Sequence, residues 1–187
     1  VSEVAKAIGM DSRIGPKFLE SSVGFGGSCF QKDILNLVYI SKSLGLTEVA
    51  DYWHQVILIN NYQRDRFVKN MIKTMYNTVS GKSIAFLGWA FKKDTNDTRE
   101  SAAIYVADML IEEQATIKVY DPKVTVSQML QDLDYLNTRS EKENRLYLQT
   151  NNDPYKALEG AHAVAVLTEW DEFTSYNWLA IYDAMQK

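Results

Sequence analysis

Between Val49 and Met75 the apolar residues Val49, Trp53, Val56, Ile57, Phe67, Val68, Met71, Ile72 and Met75 return at helical intervals, with no glycine or proline among them. The pattern predicts one helix from Thr47, an N-cap candidate, to about Tyr76, roughly 40 Å long at 1.5 Å per residue. Asn60, Asn61 and Arg64 interrupt its stripe halfway. One small domain cannot cover so long a helix, so a subunit-pairing role is expected for it, against the plainer reading of a partly solvated linker. Upstream, Ile34, Leu37, Val38 and Leu44 keep the same spacing and predict a helix ending near Gly45. Val4, Ala7 and Ile8 predict another, closed by Gly9. From Asp11 to Ser22 the chain reads as an irregular connection, broken by Gly15 and Pro16, with Phe18 and Leu19 as its packing anchor.

After the turn Ser80-Gly81-Lys82 the pattern changes to strand, loop and helix. Ser83–Gly88 suits a buried parallel strand, and Asp97 with Glu100 is expected to open a helix that runs through Glu113. Thr116–Tyr120 is a second strand, closed by Asp121-Pro122, and Val126–Leu133 a short helix. The polar stretch Asn137–Asn152 reads as a surface excursion, with Arg145–Leu148 as a candidate strand. Asp153 caps a short helix that Pro154 begins and Gly160 ends. Ala163–Thr168 is a third clear strand and Tyr176–Met185 a last helix. Such alternation argues a parallel sheet with helices on both faces. The fold class is therefore α/β: a helical region over residues 1–79, followed by a Rossmann-like parallel-sheet domain over residues 80–187.

With 187 residues, 46% of them hydrophobic and 12% aromatic, the chain can bury a substantial core. Its net charge of −4, with cations mixed among acids, offers no basic stripe for nucleic acid or an anionic membrane. No apolar run approaches the roughly 18–20 residues of a membrane span. A single cysteine excludes an intrachain disulfide and, with only His54 and His162, leaves no metal-ligand cluster; a reducing cytoplasm fits best. The chain opens at Val1, already in a helix-like pattern, and is expected to be a piece of something longer.

The chemistry centres on Val23-Gly24-Phe25-Gly26-Gly27-Ser28-Cys29-Phe30-Gln31-Lys32-Asp33. Ser28 followed by Gln31 is a capping-box pattern, which places Ser28 at the N-cap and Cys29 at the first helical position. A thiol there faces unsatisfied N–H groups and the positive end of the helix dipole, with Lys32 one turn on; both favour the thiolate. Glycines at 24, 26 and 27 would let the loop bring its N–H groups up to a polar ligand. They form no dinucleotide fingerprint, because Cys29 stands where a third glycine should be. A lone cysteine is more often an inert small hydrophobe, but the cap position and the glycines favour a reactive one. Ligands of open parallel sheets sit beyond the carboxyl ends of strands, and Trp89–Thr98 fills the first such loop. Lacking Gly-x-Gly-x-x-Gly, it is not expected to hold NAD in the usual way; Phe91 offers a face for a base, and Lys92, Lys93 and Arg99 offer charge for phosphates. Trp170, between Glu169 and Asp171, is expected to pack at a strand end.

The run Gly24–Asp33, with Ala90-Phe91-Lys92-Lys93-Asp94-Thr95 and Asp97-Thr98-Arg99-Glu100, resembles the nucleotide-sugar dehydrogenases of the UDP-glucose/GDP-mannose dehydrogenase family. Weaker likenesses lie at Tyr120-Asp121-Pro122 and Thr168-Glu169-Trp170. The resemblance implies an NAD-dependent two-step oxidation of UDP-glucose, with GDP-mannose or UDP-N-acetylmannosamine as the alternative sugar, and a homodimer paired through the central helix. It implies Cys29 as nucleophile and Asp33 as the carboxylate that helps activate water. It implies substrate contacts from Arg13 (reaching a neighbouring subunit's site), Phe18, Leu19, Glu20, Gly24, Phe25, Gly26, Phe91 and Lys92. Cofactor contacts would come from Cys29, Lys32 and Arg99, the last across a subunit boundary. Glu20 stands where the family often has lysine, which leaves its backbone for the contact. By the same resemblance the 187 residues alone lack an NAD-binding domain and are expected to be a non-catalytic dimerisation and nucleotide-sugar-binding module.

Overall fold

The computed structural model describes residues 1–186. Its first part is helical: α1 (Ser2–Gly9), α2 (Phe30–Ser43) and α3 (Thr47–Thr74). Helix α2 ends as its glycine predicts. Gly45 takes φ 75°, its N–H donates to the Lys42 carbonyl (3.0 Å), and the Leu46 N–H donates to the Ser41 carbonyl (2.9 Å), a Schellman closure. The three-residue connection turns α3 back along α2, and the two helices share a small core of Ile34, Val38, Ala50 and Ile57, with Phe25, Trp53 and Val56 against it. Thr47 is the first residue of α3 rather than its cap; Leu46 holds the cap position with no side-chain hydrogen bond. The helix stops at Thr74 because Tyr76 and Asn77 turn left-handed (φ 64° and 61°), and the Asn77 N–H donates back to the Ile72 carbonyl.

In its second half α3 leaves α2 and joins a larger core. Val68 is buried there, and Phe67, Met71, Ile72 and Met75 pack against it. That core surrounds β1 (Ser83–Leu87), α4 (Ala102–Glu112), β2 (Thr116–Tyr120), α5 (Val126–Tyr135), α6 (Glu141–Tyr147), β3 (Leu148–Thr150), α7 (Pro154–Leu158) and β4 (Ala163–Val166), followed by a 3-10 turn (Asp171–Ser175) and α8 (Trp178–Ala184). The four strands are parallel, in the order β3-β2-β1-β4. Central β1 is almost wholly apolar and buried, as a strand covered on both faces must be. The chain moves outward from β1 to β3 and returns to β4 on the other side of β1. With right-handed crossovers, that reversal puts α7 on the face opposite α4.

Two local expectations fail. Helix α4 begins at Ala102, not near Asp97, because Asp97 is engaged otherwise: it accepts from the Arg99 backbone N–H and from the Arg99 guanidinium (3.0, 3.0 and 2.8 Å). Glu100 then takes φ 55°, and Ser101 caps the helix. The excursion after Asn137 contains helix α6, opened by a full capping box between Ser140 and Glu143, and its strand begins only at Leu148. No helix among the described residues is long and apolar enough to cross a membrane.

Candidate functional site

Cys29 sits at the N-cap of α2, one residue outside the position predicted, and its side chain is exposed. Its carbonyl accepts the first helical N–H, from Asp33 (2.9 Å). The Ser28–Gln31 capping box does not form. Gly27, at φ 90° with its N–H bonded to the Arg99 carbonyl (2.8 Å), sets the direction of entry, and the Ser28 hydroxyl lies 3.7 Å from the Cys29 sulfur instead. Lys32 and Asp33 are both exposed on the first turn.

The glycines allow close approach, and within the chain the approach is to protein. A Cβ on Gly24 would lie 2.6 Å from Asn60 Oδ1, one on Gly26 2.5 Å from the Glu100 carbonyl oxygen, and one on Gly27 2.9 Å from the Phe91 ring. The loop therefore threads between α3 and the segment after β1. It is pinned there. The Phe25 N–H donates to Asn60 Oδ1 (2.8 Å), Asn60 Nδ2 donates to the Phe25 carbonyl (3.1 Å), and Arg64 Nη2 donates to the Phe25 and Glu100 carbonyls (3.3 Å each). The Phe25 ring meets Phe30 edge-on, with centroids 4.7 Å apart. Asn60 and Arg64 were not among the expected site residues, although two polar side chains four apart in an apolar stripe were the available signal.

At the switch point between β1 and β4 the loops that follow the two strands touch. Gly88 (φ 96°) passes so near Thr168 that a Cβ would lie 2.4 Å from its side chain, and the Thr168 hydroxyl donates to the Ala90 carbonyl (2.6 Å). Trp89 is fully buried, and its indole donates to Asp132 (2.9 Å), which also accepts from Thr98 (3.0 Å). Asp121 Oδ2 accepts from the Trp89 and Ala90 N–H groups and the Trp170 indole (2.7, 3.0 and 3.2 Å), while Oδ1 accepts from Lys123 and Val124. Trp170 thus packs at the strand end as expected, and the network holds the loop that carries Phe91, Lys92 and Arg99.

Most of the site's cations are already paired. Arg13 binds Asp11 (2.7 Å), Lys93 binds Asp171 (2.7 Å) and Arg99 binds Asp97 (2.8 Å). Each guanidinium holds its carboxyl below the usual carboxylate range, and Asp171 raises Lys93. Arg99 is raised in turn, first by Asp97 and to a smaller extent by the nearby Cys29. Lys92 has no ion pair among the described residues; its ammonium lies 5.5 Å from the centroid of the Phe91 ring. Phe18 is no anchor: at φ 61° its ring is fully exposed, and Leu19 alone packs inward, toward Gly9. Glu20 is exposed.

Two cavities flank the loop. One, of about 800 Å³, is walled by Ser28, Gln31 and Lys32 on the α2 side, Arg99, Glu100 and Tyr105 on the α4 side, and α5 beyond. Ser28 and Gln31, on either side of Cys29 in sequence, are both on its wall. The other, of about 440 Å³, lies between Ser21–Val23, the middle of α3 and the end of β4 at Val166–Glu169. Lys32 and Arg99 thus converge on one space, and the loop upstream of Gly24 faces another.

Residues 85–187 match the model of the UDP-glucose/GDP-mannose dehydrogenase family, UDP binding domain, and residues 1–62 that of the same family's central domain. The chain is 56% identical over 186 residues to a UDP-glucose 6-dehydrogenase of Caenorhabditis elegans, and 54% identical over 188 residues to one of Drosophila melanogaster. Both alignments take in 100% of the chain but only 38% and 40% of those proteins. Among solved structures, a UDP-glucose dehydrogenase from the hyperthermophilic archaeon Pyrobaculum islandicum superposes with a TM-score of 0.74 at 29% identity, over 94% of this chain and 37% of that one.

Proposed function

Because the chain belongs to the UDP-glucose/GDP-mannose dehydrogenase family, we propose that it carries the nucleophile and nucleotide-sugar walls of an enzyme that oxidises UDP-glucose to UDP-glucuronate in two NAD-dependent steps. The observation that carries this reading is the pinned loop, which leaves Cys29 exposed beside the cavity walled by Lys32 and Arg99. That wall suits a nicotinamide dinucleotide, since the ammonium, the guanidinium and the Gln31 and Gln128 amides offer donors to phosphates and carboxamide. NAD+, when bound, accepts one hydride in each oxidation. The sugar's primary alcohol first becomes an aldehyde. The Cys29 thiolate then attacks the aldehyde carbon, forming a C–S bond and an alkoxide; loss of hydride from that carbon leaves a thioester. Asp33, one turn along the same helix, takes a proton from the water that cleaves the thioester, releasing the acid and the thiol.

The nucleotide sugar is assigned to the loop from Phe18 to Gly26, with Phe91 and Lys92, whose ammonium has no ion pair among the described residues. Residues 1–79 form the helical pairing unit and 80–187 the UDP-sugar unit of a homodimeric, cytoplasmic protein. Arg13 acts across the subunit boundary, whereas Arg99, expected to do the same, stands with Lys32 on the wall of its own chain's cavity. The 187 residues by themselves are expected to bind nucleotide sugar without reducing NAD+.

Supplied with UDP-glucose, the complete protein should form the acid and reduce two NAD+ per sugar, and Cys29→Ser should stop at or before the aldehyde. Undiminished acid formation by that variant would overturn the nucleophile. NAD+ reduction with GDP-mannose or UDP-N-acetylmannosamine and none with UDP-glucose would overturn the sugar.

A further inference from the structure

Asn60 and Arg64 are 3% exposed each, polar groups set into the apolar stripe of α3 at the point where the helix passes from one core to the other. Burying an arginine is costly unless its charge is matched, and burial does push the Arg64 guanidinium below its ordinary value, with Tyr105 and Glu100 pulling the other way. Its partners are not carboxylates. Arg64 Nη2 bridges the carbonyls of Phe25 and Glu100, its Cζ lies 4.0 Å from the centroid of the Tyr105 ring, and its Nε is buried with no hydrogen-bond partner among the described residues. The Tyr105 hydroxyl donates to Glu100 Oε2 (2.7 Å). Asn60 meanwhile meets both backbone groups of Phe25 with one amide, as a neighbouring strand would.

These bonds all converge on one object. Phe25 is four residues before Cys29, and Glu100 follows Arg99, whose carbonyl holds the Gly27 N–H. The three residues between the clamp and the sulfur, Gly26, Gly27 and Ser28, have little conformational preference of their own. Their path is set by what they are tied to, which is Asn60 and Arg64 on one side and the Arg99–Glu100 backbone on the other.

We infer that Asn60 and Arg64, backed by Tyr105 and Glu100, are positioning residues for the nucleophile: they fix the Phe25–Cys29 loop so that the sulfur meets the aldehyde carbon. Asn60 and Arg64 line neither of the two cavities. The inference rests on Cys29 being the nucleophile, and it separates the two oxidations. Hydride loss from the alcohol needs no sulfur, whereas formation and breakdown of the thioester does. A displacement of about 1 Å at the sulfur is worth up to about 100-fold in rate.

The experiment uses the complete protein with Asn60→Ala, Arg64→Lys and Tyr105→Phe, each judged by its thermal midpoint. Three quantities are read: UDP-glucose affinity by calorimetry, the first oxidation in single turnover, and oxidation of the UDP-sugar aldehyde supplied directly. The expected result is aldehyde oxidation slowed about 10- to 100-fold in Asn60→Ala and Arg64→Lys, with affinity and the first step changed less than about threefold in those two; Tyr105→Phe, whose ring is also on the cofactor wall, is judged by the rate of sulfur labelling, which needs no cofactor. Sulfur labelling by iodoacetamide should change in the same variants. Equal slowing of both steps together with weakened sugar binding would show a merely structural role and overturn the inference, as would unchanged aldehyde oxidation. Tyr105→Phe keeps the ring under Arg64 and supplies a folded variant should the others unfold. If Cys29→Ser still makes acid, the nucleophile reading has failed; if it does not, and the clamp variants behave as wild type, only the clamp has failed.

Discussion

Gly26 and Gly45 separate two reasons for placing a glycine. Gly45 has φ 75° and open space around it, so Gly45→Ala meets only the left-handed backbone cost, about 1 kcal/mol. Gly26 has no such φ, yet a Cβ there would stand 2.5 Å from a backbone oxygen, that of Glu100, which cannot swing aside as a side chain can. Gly26→Ala should therefore displace the loop, with a stability loss of about 1–3 kcal/mol and a loss of acid formation well beyond that of Gly45→Ala. Urea unfolding and turnover of both variants check this; matching activities would show that the loop tolerates the shift. The glycine run and its cysteine were readable as a site from sequence alone. Why each glycine is there was not, because Asn60, Phe91 and Glu100 lie tens of residues away and no local pattern announces them.

At the scale of elements, periodicity located α2, α3 and strands β1, β2 and β4, whose apolar runs are long or continuous. It misplaced the start of α4, because Asp97 looks like a cap and instead holds Arg99. It overlooked α6, a single turn-rich helix of 7 residues in a polar stretch whose Ser140–Glu143 box was nevertheless visible. The break in the α3 stripe was read as a gap and is the joint. Tyr105 reports on that joint. Burial first, and then its bond to Glu100, push the Tyr105 hydroxyl up to about 12 from an ordinary value near 10. The folded state thus holds this proton more tightly than the unfolded state, so its contribution is fully present below pH about 10 and is lost as pH rises through about 12. Tyr120 is pushed up to about 12 as well, by burial and Glu172. Wild-type stability should fall over that alkaline window, and Tyr105→Phe should flatten the part of the fall due to the joint while Tyr120 still contributes. Chemical denaturation at pH 8 and pH 11 measures the difference; an identical slope in the variant would show that Tyr105 does not report on the joint.

For the whole molecule, a pairing helix now has to be argued from a different surface. The stripe that first suggested it is covered within the chain, by α2 in its first half and by the sheet's core in its second. What remains bare are Tyr39 and Ile40 on α2, Leu44 at its C-cap, and Val49, Tyr52, Ile59 and Tyr62 on α3, all at least 42% exposed. So many large apolar side chains on one helical hairpin are unusual for an unpartnered surface. A second copy is the simplest cover, since two-fold symmetry lets the same face meet itself. Association costs about 4–15 kcal/mol, and at about 25 cal/mol per Å² the upper figure needs on the order of 600 Å² of apolar burial, about 300 Å² from each copy, which seven large exposed side chains can supply. Charge introduced among them should then be decisive, whereas charge on the opposite end of the fold should not. Sedimentation equilibrium at micromolar concentration is expected to give a dimer for the chain, a monomer for Ile59→Glu, and a dimer still for Leu179→Glu, whose exposed side chain lies on α8, the helix packed on α7. A wild-type chain that sediments as a clean monomer would rule out this face as the pairing surface.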